Sequence, residues 1–525
     1  RPAIASATNP HRQACCQVER ARGAPIQEKR MLYLLCVAAR MRMSQMSNNR
    51  VARRDSACNP PGIIQSHPLY KTHVRVLIHD CAPVDIAHTR IPWSPNMSTA
   101  VHQTVFQTAN PHALATILDA AETRRIIACR DIFDLAGTKL WARDQPVSQA
   151  LQRKLMDRKL RQPLEACLMA EDGVTATTLR DTVQALLDLD TALAALLSPY
   201  AERIAEEVPR LPLHPVVQLL LTAAQSSRPA QFVHAVQAMA LNGALALARS
   251  ATTVDLRMAL LAGLMHDLGE MYIDPVYGEA AADRHLDFAS YEHLVVHPHV
   301  GHLLVSQLTD YPPRLARAIA EHHERLDGSG YPHRLRNEQI SPQGRLLAVT
   351  EATLGVLRSD RAGSPDTATA LQRASVALRV VPGEFDMTWI GPVAHAARPR
   401  AGASETGEPD GALLARLAAL DGTLICAQHQ AEAVRGDPHA LPLHPAMDLA
   451  RHLLARLRTG WNASGLWSEA ALRECQAGEI DRIEEELRYR LRGIARAVHL
   501  HAGHQPPELA LLLERLCEGF EVEPA

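Results

Sequence analysis

Two histidines stand side by side at His322 and His323, and a glycine-rich turn succeeds them in the string HHERLDGSGYP. Upstream lie a His266-Asp267 pair in LMHDLGE and a His297-Pro298 pair in VVHPHVG. Adjacent imidazoles with carboxylates nearby suit Fe, Mn, Zn or Ni, and suit Ca or Mg less, because those ions prefer all-oxygen shells. Walking outward adds His234 in QFVHAVQAMALNGALALA and Glu351 in RLLAVTEATLGVL. His234, His266, Asp267, His297, His322, His323 and Glu351 make seven candidate ligands. One ion does not need so many, but two ions bridged by a carboxylate and a hydroxide would use them. Metal sites of this kind usually do hydrolysis.

Each residue also has a plainer reading. A lone buried histidine such as His234 is commonly a hydrogen-bonded core residue, His297 before Pro298 can simply open a helix, and His266-Asp267 can end one. His322-His323 beside DGSGYP is the hardest to explain as packing. His285, His293, His299 and His302 crowd the region without a matching context.

The elements that must position these groups read as helices. Pro312-Pro313 open one, Leu315, Ala316, Ile319 and Ala320 run along it, and Asp327-Gly328 break it. DLRMALLAGLMHD buries Leu256, Leu260, Leu261 and Leu264, and Gly269 terminates it. His234 and Glu351 sit inside further apolar helices. With abundant Ala and Leu and only 4% aromatic residues, the chain reads as all-α.

These strings resemble the HD-GYP domain, a subset of the HD phosphohydrolase superfamily. His266-Asp267 looks like the HD signature, His297-Pro298 with Gly301 like the HPxxG element, and Gly330-Tyr331-Pro332 like the GYP signature. Phe385-Asp386 resembles the closing FDP element, with Met387 in place of Pro. The resemblance covers about residues 225 to 395. It implies a central helical metal-binding bundle with flanking helical regions. It also implies hydrolysis of the bacterial second messenger cyclic di-GMP to pGpG or GMP, using divalent ions that are often iron or manganese. Asp267 would then bridge two ions, with His234, His266 and Glu351 on one and His297, His322 and His323 on the other. The stretch containing Asp327, Gly328, Gly330 and Tyr331 would shape the substrate pocket, with Tyr331 able to stack on a base.

Three departures from the family pattern bear on this. Glu270 stands where the family usually has a lysine, three residues after the HD aspartate. An anion beside a phosphate site should weaken transition-state stabilisation, unless Glu270 itself takes a catalytic or ligating role. On the first view, Glu270→Lys should raise activity. Glu351 replaces the usual final Asp, and Ala230 replaces the Glu of three-metal members, so two ions are expected. The alternative to a working enzyme is a domain that binds nucleotide without cutting it, an effector or scaffold for a GGDEF-domain protein.

The remaining chain says less. Residues 1 to 96 carry 14 Lys/Arg against 5 Asp/Glu, whereas the rest carries 41 against 52. That basic stretch could be a nucleic-acid-binding arm. The preferred reading is a non-native or disordered leader with the natural start at Met97, which leaves nucleic acid an unexpected partner. Residues 97 to 224 read as an N-terminal helical regulatory region, 225 to 395 as the HD-GYP-like domain, 396 to 412 as a linker, and 413 to 525 as a C-terminal helical region. Ile480, Ile483, Leu487, Leu491, Ile494 and Val498 form one apolar stripe, read as intramolecular core before homodimer seam. No run of about 20 uncharged apolar residues suggests a membrane span, and the dispersed cysteines suit a reducing cytoplasm.

Overall fold

In the computed structural model the described residues are 106–278, 288–359, 366–398, 411–463 and 477–519. The leader assigned to 1–96, the candidate start at Met97 and most of the expected linker lie outside them. The N-terminal part begins with α1 (Pro111–Ala120), whose N-cap Asn110 accepts from the amides of His112 and Ala113. Four short strands come next: β1 (Ile126–Ala128), β2 (Ile132–Phe133), β3 (Lys139–Trp141) and β4 (Leu168–Ala170). β1 pairs antiparallel with β4, and β2 with β3. The region expected to be helical is therefore mixed. The β-branched pair Ile126-Ile127 and Ile132 prefer extended backbone where their side chains can pack on both sides.

Helices then dominate. Those that concern the site are α2 (Pro215–Ser227), α3 (Pro229–Leu247), α4 (Thr253–Met265), α5 (Phe288–Leu294), α6 (His297–Leu308), α7 (Pro313–Glu321), α8 (Pro342–Ser359), α9 (Thr367–Arg379) and α10 (Met387–Ala396). Most side chains of α3 are buried, as befits a helix at the centre of a bundle. It crosses α4 closely because Gly263 lies against Ala238: a Cβ there would sit 2.7 Å from the Ala238 carbonyl carbon and 2.8 Å from Met239 Cα. Asn242 on α3 ties the bundle by donating to Ala259 O (2.7 Å) and accepting from Thr350 Oγ1 of α8 (2.7 Å). One apolar core joins Ile117, Leu168, Val217, Val236, Leu260, Leu347 and Phe385. The boundary expected near residue 225 thus falls within α2, with shared core on both sides.

A second apolar core belongs to α11 (Gly411–Gly436), α12 (His444–Ala463), α13 (Ala477–Ala502) and α14 (Pro507–Glu518), with Val380 and Val381 joining from the bundle side. Leu487, Leu491, Ile494 and Val498 of the predicted stripe are buried in it, and Ile483 packs against it. α13 also packs on α5 and α9. Among the described residues no helix is long and apolar enough to cross a membrane.

Candidate metal centre

The local sequence puts each candidate at a helix end or on a buried helix face. Thr252 caps α4, accepting from Asp255 N (3.2 Å), and the helix runs out at His266, so Asp267 projects from a tight turn at Leu268–Tyr272. That turn is pressed onto the start of α6, where His297 occupies the first position. α7 ends at Glu321, with His322 as its cap and His323 immediately after. His234 and Glu351 face inward from the middles of α3 and α8. All seven residues are buried.

They form two groups that share Asp267: His234, His266, Asp267 and Glu351 in one, and Asp267, His297, His322 and His323 in the other. Donor atoms within each lie within 4.8 Å of one another. Asp267 Oδ2 faces His234 Nε2 (3.2 Å) and His266 Nε2 (3.1 Å), while Oδ1 faces His297 Nε2 (3.4 Å) and His322 Nε2 (3.3 Å). Glu351 Oε2 completes the first group, 3.0 Å from His234 Nε2 and 3.2 Å from His266 Nε2.

The hydrogen bonding behind these donors fits a cation. His266, His297 and His322 each turn Nδ1 to the carbonyl three residues back, at 2.7, 2.7 and 2.6 Å. A carbonyl can only accept, so each Nδ1 carries a proton, and a ring that is neutral then aims an Nε2 lone pair inward. Two such atoms, His297 Nε2 and His322 Nε2, are 3.1 Å apart. Lone pair against lone pair is repulsive in a dry interior unless positive charge lies near both. Among the described residues, neither Asp267 oxygen has a hydrogen bond of proper geometry, nor has either ring nitrogen of His234. Burial would raise the Asp267 carboxyl, but the imidazoles around it, His266 foremost, hold it well below the usual range. Burial opposes charge on His266 too, yet Asp267 and Glu351 carry its pKa well above the ordinary value, whereas burial and the neighbouring His323 push His322 down to about 3. The pocket is built for ionised carboxylates around a cation.

The other predicted residues are distributed differently. Asp327, Gly330 and Tyr331 line a cavity that reaches His323. Asp327 Oδ1 accepts from Ser329 N (3.0 Å) and Oγ (2.7 Å), which folds the turn on itself. Gly328 sits at the bend with φ +82° and does not face the cavity. Gly330 is needed for close approach: a Cβ there would be 2.5 Å from both Arg325 N and Glu324 Cα. The Tyr331 ring stacks on His323, centroids 4.5 Å apart and planes 16° from parallel.

Glu270 stands apart from both groups. Its Oε2 accepts from Gln231 Nε2 (2.8 Å), and Arg228 donates to its carbonyl (3.1 Å). A lysine here would bring a buried ammonium against an amide donor and a guanidinium, so the gain in activity expected from Glu270→Lys gives way to an expected loss. Ala230 is exposed at the start of α3.

Several residues escaped the sequence reading. Arg358, seven residues after Glu351 on the same helix, donates to Glu351 Oε1 (2.7 Å). The extra methylene of Glu351 lets one carboxylate oxygen meet Arg358 while the other faces the imidazoles. Glu324 accepts from His333 N (2.6 Å) and Leu335 N (2.8 Å), holding the glycine-rich loop against the two histidines; burial raises its pKa to about 7. The periodicity of α8 would have found Arg358. Glu324 gives no signal, because its partners are backbone amides.

The profile of the HD domain matches residues 218–372. A cyclic di-GMP phosphodiesterase of Pseudomonas aeruginosa is 30% identical over 219 residues, covering 41% of this chain and 50% of the relative. A 3'3'-cGAMP-specific phosphodiesterase of Vibrio cholerae is 29% identical over 129 residues, covering 24% of this chain and 27% of the relative. The chain thus spans half of the first relative's length and about a quarter of the second's. No solved structure matches significantly.

Proposed function

We propose that the chain is a member of the HD domain family, in its HD-GYP branch, and a metal-dependent phosphodiesterase acting on a cyclic dinucleotide. Cyclic di-GMP is the substrate and pGpG or GMP the product, within bacterial second-messenger signalling in the cytoplasm. The observation that carries this reading is the double orientation of Asp267, one oxygen toward His234 and His266 and the other toward His297 and His322. A carboxylate so placed spans two cation positions. His234, His266 and Glu351 would hold one divalent ion, and His297, His322 and His323 the other. A mixed imidazole and carboxylate set suits iron or manganese. Bound there, such ions supply an activated water and offset the charge of a phosphate under attack.

The chain's own residues do the rest. The three Nδ1–carbonyl bonds fix ring orientation, so that no ligand must reorganise when charge develops. Arg358 anchors Glu351 from behind. The stacked Tyr331 and His323 join the metal groups to the cavity where the nucleotide lies. Glu270 acts at one remove, holding Gln231 at the foot of α3.

The test is anaerobic incubation of the iron- or manganese-loaded chain with cyclic di-GMP and then chromatography, with Asp267→Ala as the blank. Turnover absent from the blank is expected. Equal turnover in the blank would sink the assignment. Bound metal and bound nucleotide without turnover would make the domain an effector.

A further inference from the structure

Among the described residues, the cavity that opens at His323 has a volume of about 130 Å³. One wall is the loop carrying Tyr331. The opposite wall does not come from the segment that matches the HD domain: α12 contributes Arg456, and α13 contributes Tyr489, Arg490 and Arg496. The two walls are tied together. His452 Nε2 of α12 meets Asp327 O at 3.2 Å, and Arg334 Nη1 donates to His501 Nδ1 of α13 at 2.8 Å. Arg490 bridges the two cores, 3.1 Å from Glu384 Oε2 and 3.0 Å from Glu486 Oε1.

Four guanidinium groups, Arg325, Arg456, Arg490 and Arg496, face this cavity against two carboxylates, Asp327 and Glu384. Arg490 is committed to its carboxylates. Arg456 is not: Nη2 donates to Pro382 O (3.0 Å), but among the described residues its buried Nε has no hydrogen-bond partner. Arg496 lays its guanidinium over Tyr291 (5.4 Å) and Tyr489 (5.9 Å). Arginine forks beside aromatic rings are what a phosphate flanked by bases would need.

We infer that the C-terminal helices form the far wall of the substrate site, with Arg456 and Arg496 holding the part of a cyclic dinucleotide that lies beyond the scissile bond, its second phosphate and adjoining base. This rests on the phosphodiesterase reading for the identity of the ligand. The region beyond residue 411 is thereby a substrate-binding element. Specificity between dinucleotides is set by α12 and α13 as well as by the loop.

The test uses the full metal-loaded chain and two substrates: cyclic di-GMP, and bis(p-nitrophenyl) phosphate, a small diester too short to reach the arginines. Arg456→Ala and Arg496→Ala should each raise KM for the dinucleotide at least tenfold and lower the preference for it over the small diester by a similar factor. Arg496→Lys, which keeps charge but loses the fork, should fall between. Unchanged preference in both alanine variants overturns the inference, as does faster dinucleotide turnover, which would mean that these helices only cover the site. Parallel loss of both substrates in both variants also overturns it, since the damage would then lie at the metals. Equilibrium dialysis separates the two readings. A wild-type chain that binds the dinucleotide without cleaving it, and binds it tenfold less tightly in both variants, keeps the pocket and refutes the hydrolase; a wild type that does not bind refutes the pocket.

Discussion

Gly269→Ala probes how tightly the metal groups are held. Gly269 lies in the turn that carries Asp267, packed on the first turn of α6 that carries His297. A Cβ at this position would overlap the His297 carbonyl oxygen and stand 2.7 Å from Gly301 N and 2.9 Å from the His297 carbonyl carbon. Ordinary contact needs about 3.5 Å, so these two contacts alone require the turn and α6 to part by about 0.6–0.8 Å, and the overlap with the carbonyl oxygen requires more. All the obstructing atoms are backbone, so no side chain can swing away. Overpacking of this kind costs roughly 1–3 kcal/mol. The displacement also exceeds the ~0.5 Å within which a working site must be held. Because Asp267 and His297 sit on the two parts that separate, metal content should drop below half of wild type. Turnover should fall on the order of 10²-fold, the usual penalty of misplacement approaching 1 Å. The assay is metal analysis after dialysis, thermal melting, and hydrolysis at saturating metal. Gly355→Ala on α8 is the control: nothing lies within 4 Å of its Cβ, and helix propensity predicts a gain of up to about 1 kcal/mol. Wild-type metal content and turnover in Gly269→Ala would refute the claim that this close approach fixes the site.

Asp267→Asn keeps the shape but removes the charge that faces four imidazoles, so metal binding at both positions should weaken by at least about tenfold, read by competition with a chromogenic chelator; loss at one position only would refute bridging. Glu270→Lys should lower stability by about 3–5 kcal/mol, the scale for breaking a buried charged arrangement, and chemical denaturation that leaves it at or above wild type would refute the placement of Glu270. Glu165 is buried, accepts from Tyr272 Oη (2.8 Å), and has its pKa raised by burial. A raised carboxyl contributes stability that is full below its unfolded value near 4.5 and lost as pH climbs through the folded value. Wild type should therefore lose stability on going from acid toward neutral pH while Glu165→Gln loses less, and parallel melting curves at about pH 5 and pH 8 would refute that.

What can be read from the chain alone depends on how far apart in sequence the partners of a contact lie. His266-Asp267, His297 and His322-His323 are legible because each pair or cap is a local string whose donor types are unusual together. Glu351 is legible as a member of the cluster, but its support is easily missed, although seven residues on an α-helix come within about 20° of two full turns and Arg358 therefore has to share its face. Glu270 looks like a defect in the site because sequence gives only its distance from Asp267 along the chain; the tight turn after Asp267 aims it at Gln231 instead. The strands at Ile126–Ala128 and Leu168–Ala170 depend on a pairing across some forty residues, which helical composition on either side conceals. The cavity wall is the extreme case. Arg490 meets Glu384 across 106 positions, and nothing in an amphipathic charged helix says which of its arginines faces solvent and which faces the cavity. The stripe Leu487, Leu491, Ile494 and Val498 holds that information indirectly: once it is buried in the second core, the helix has a fixed rotation, and that rotation turns Arg490 and Arg496 toward the cavity that opens at His323.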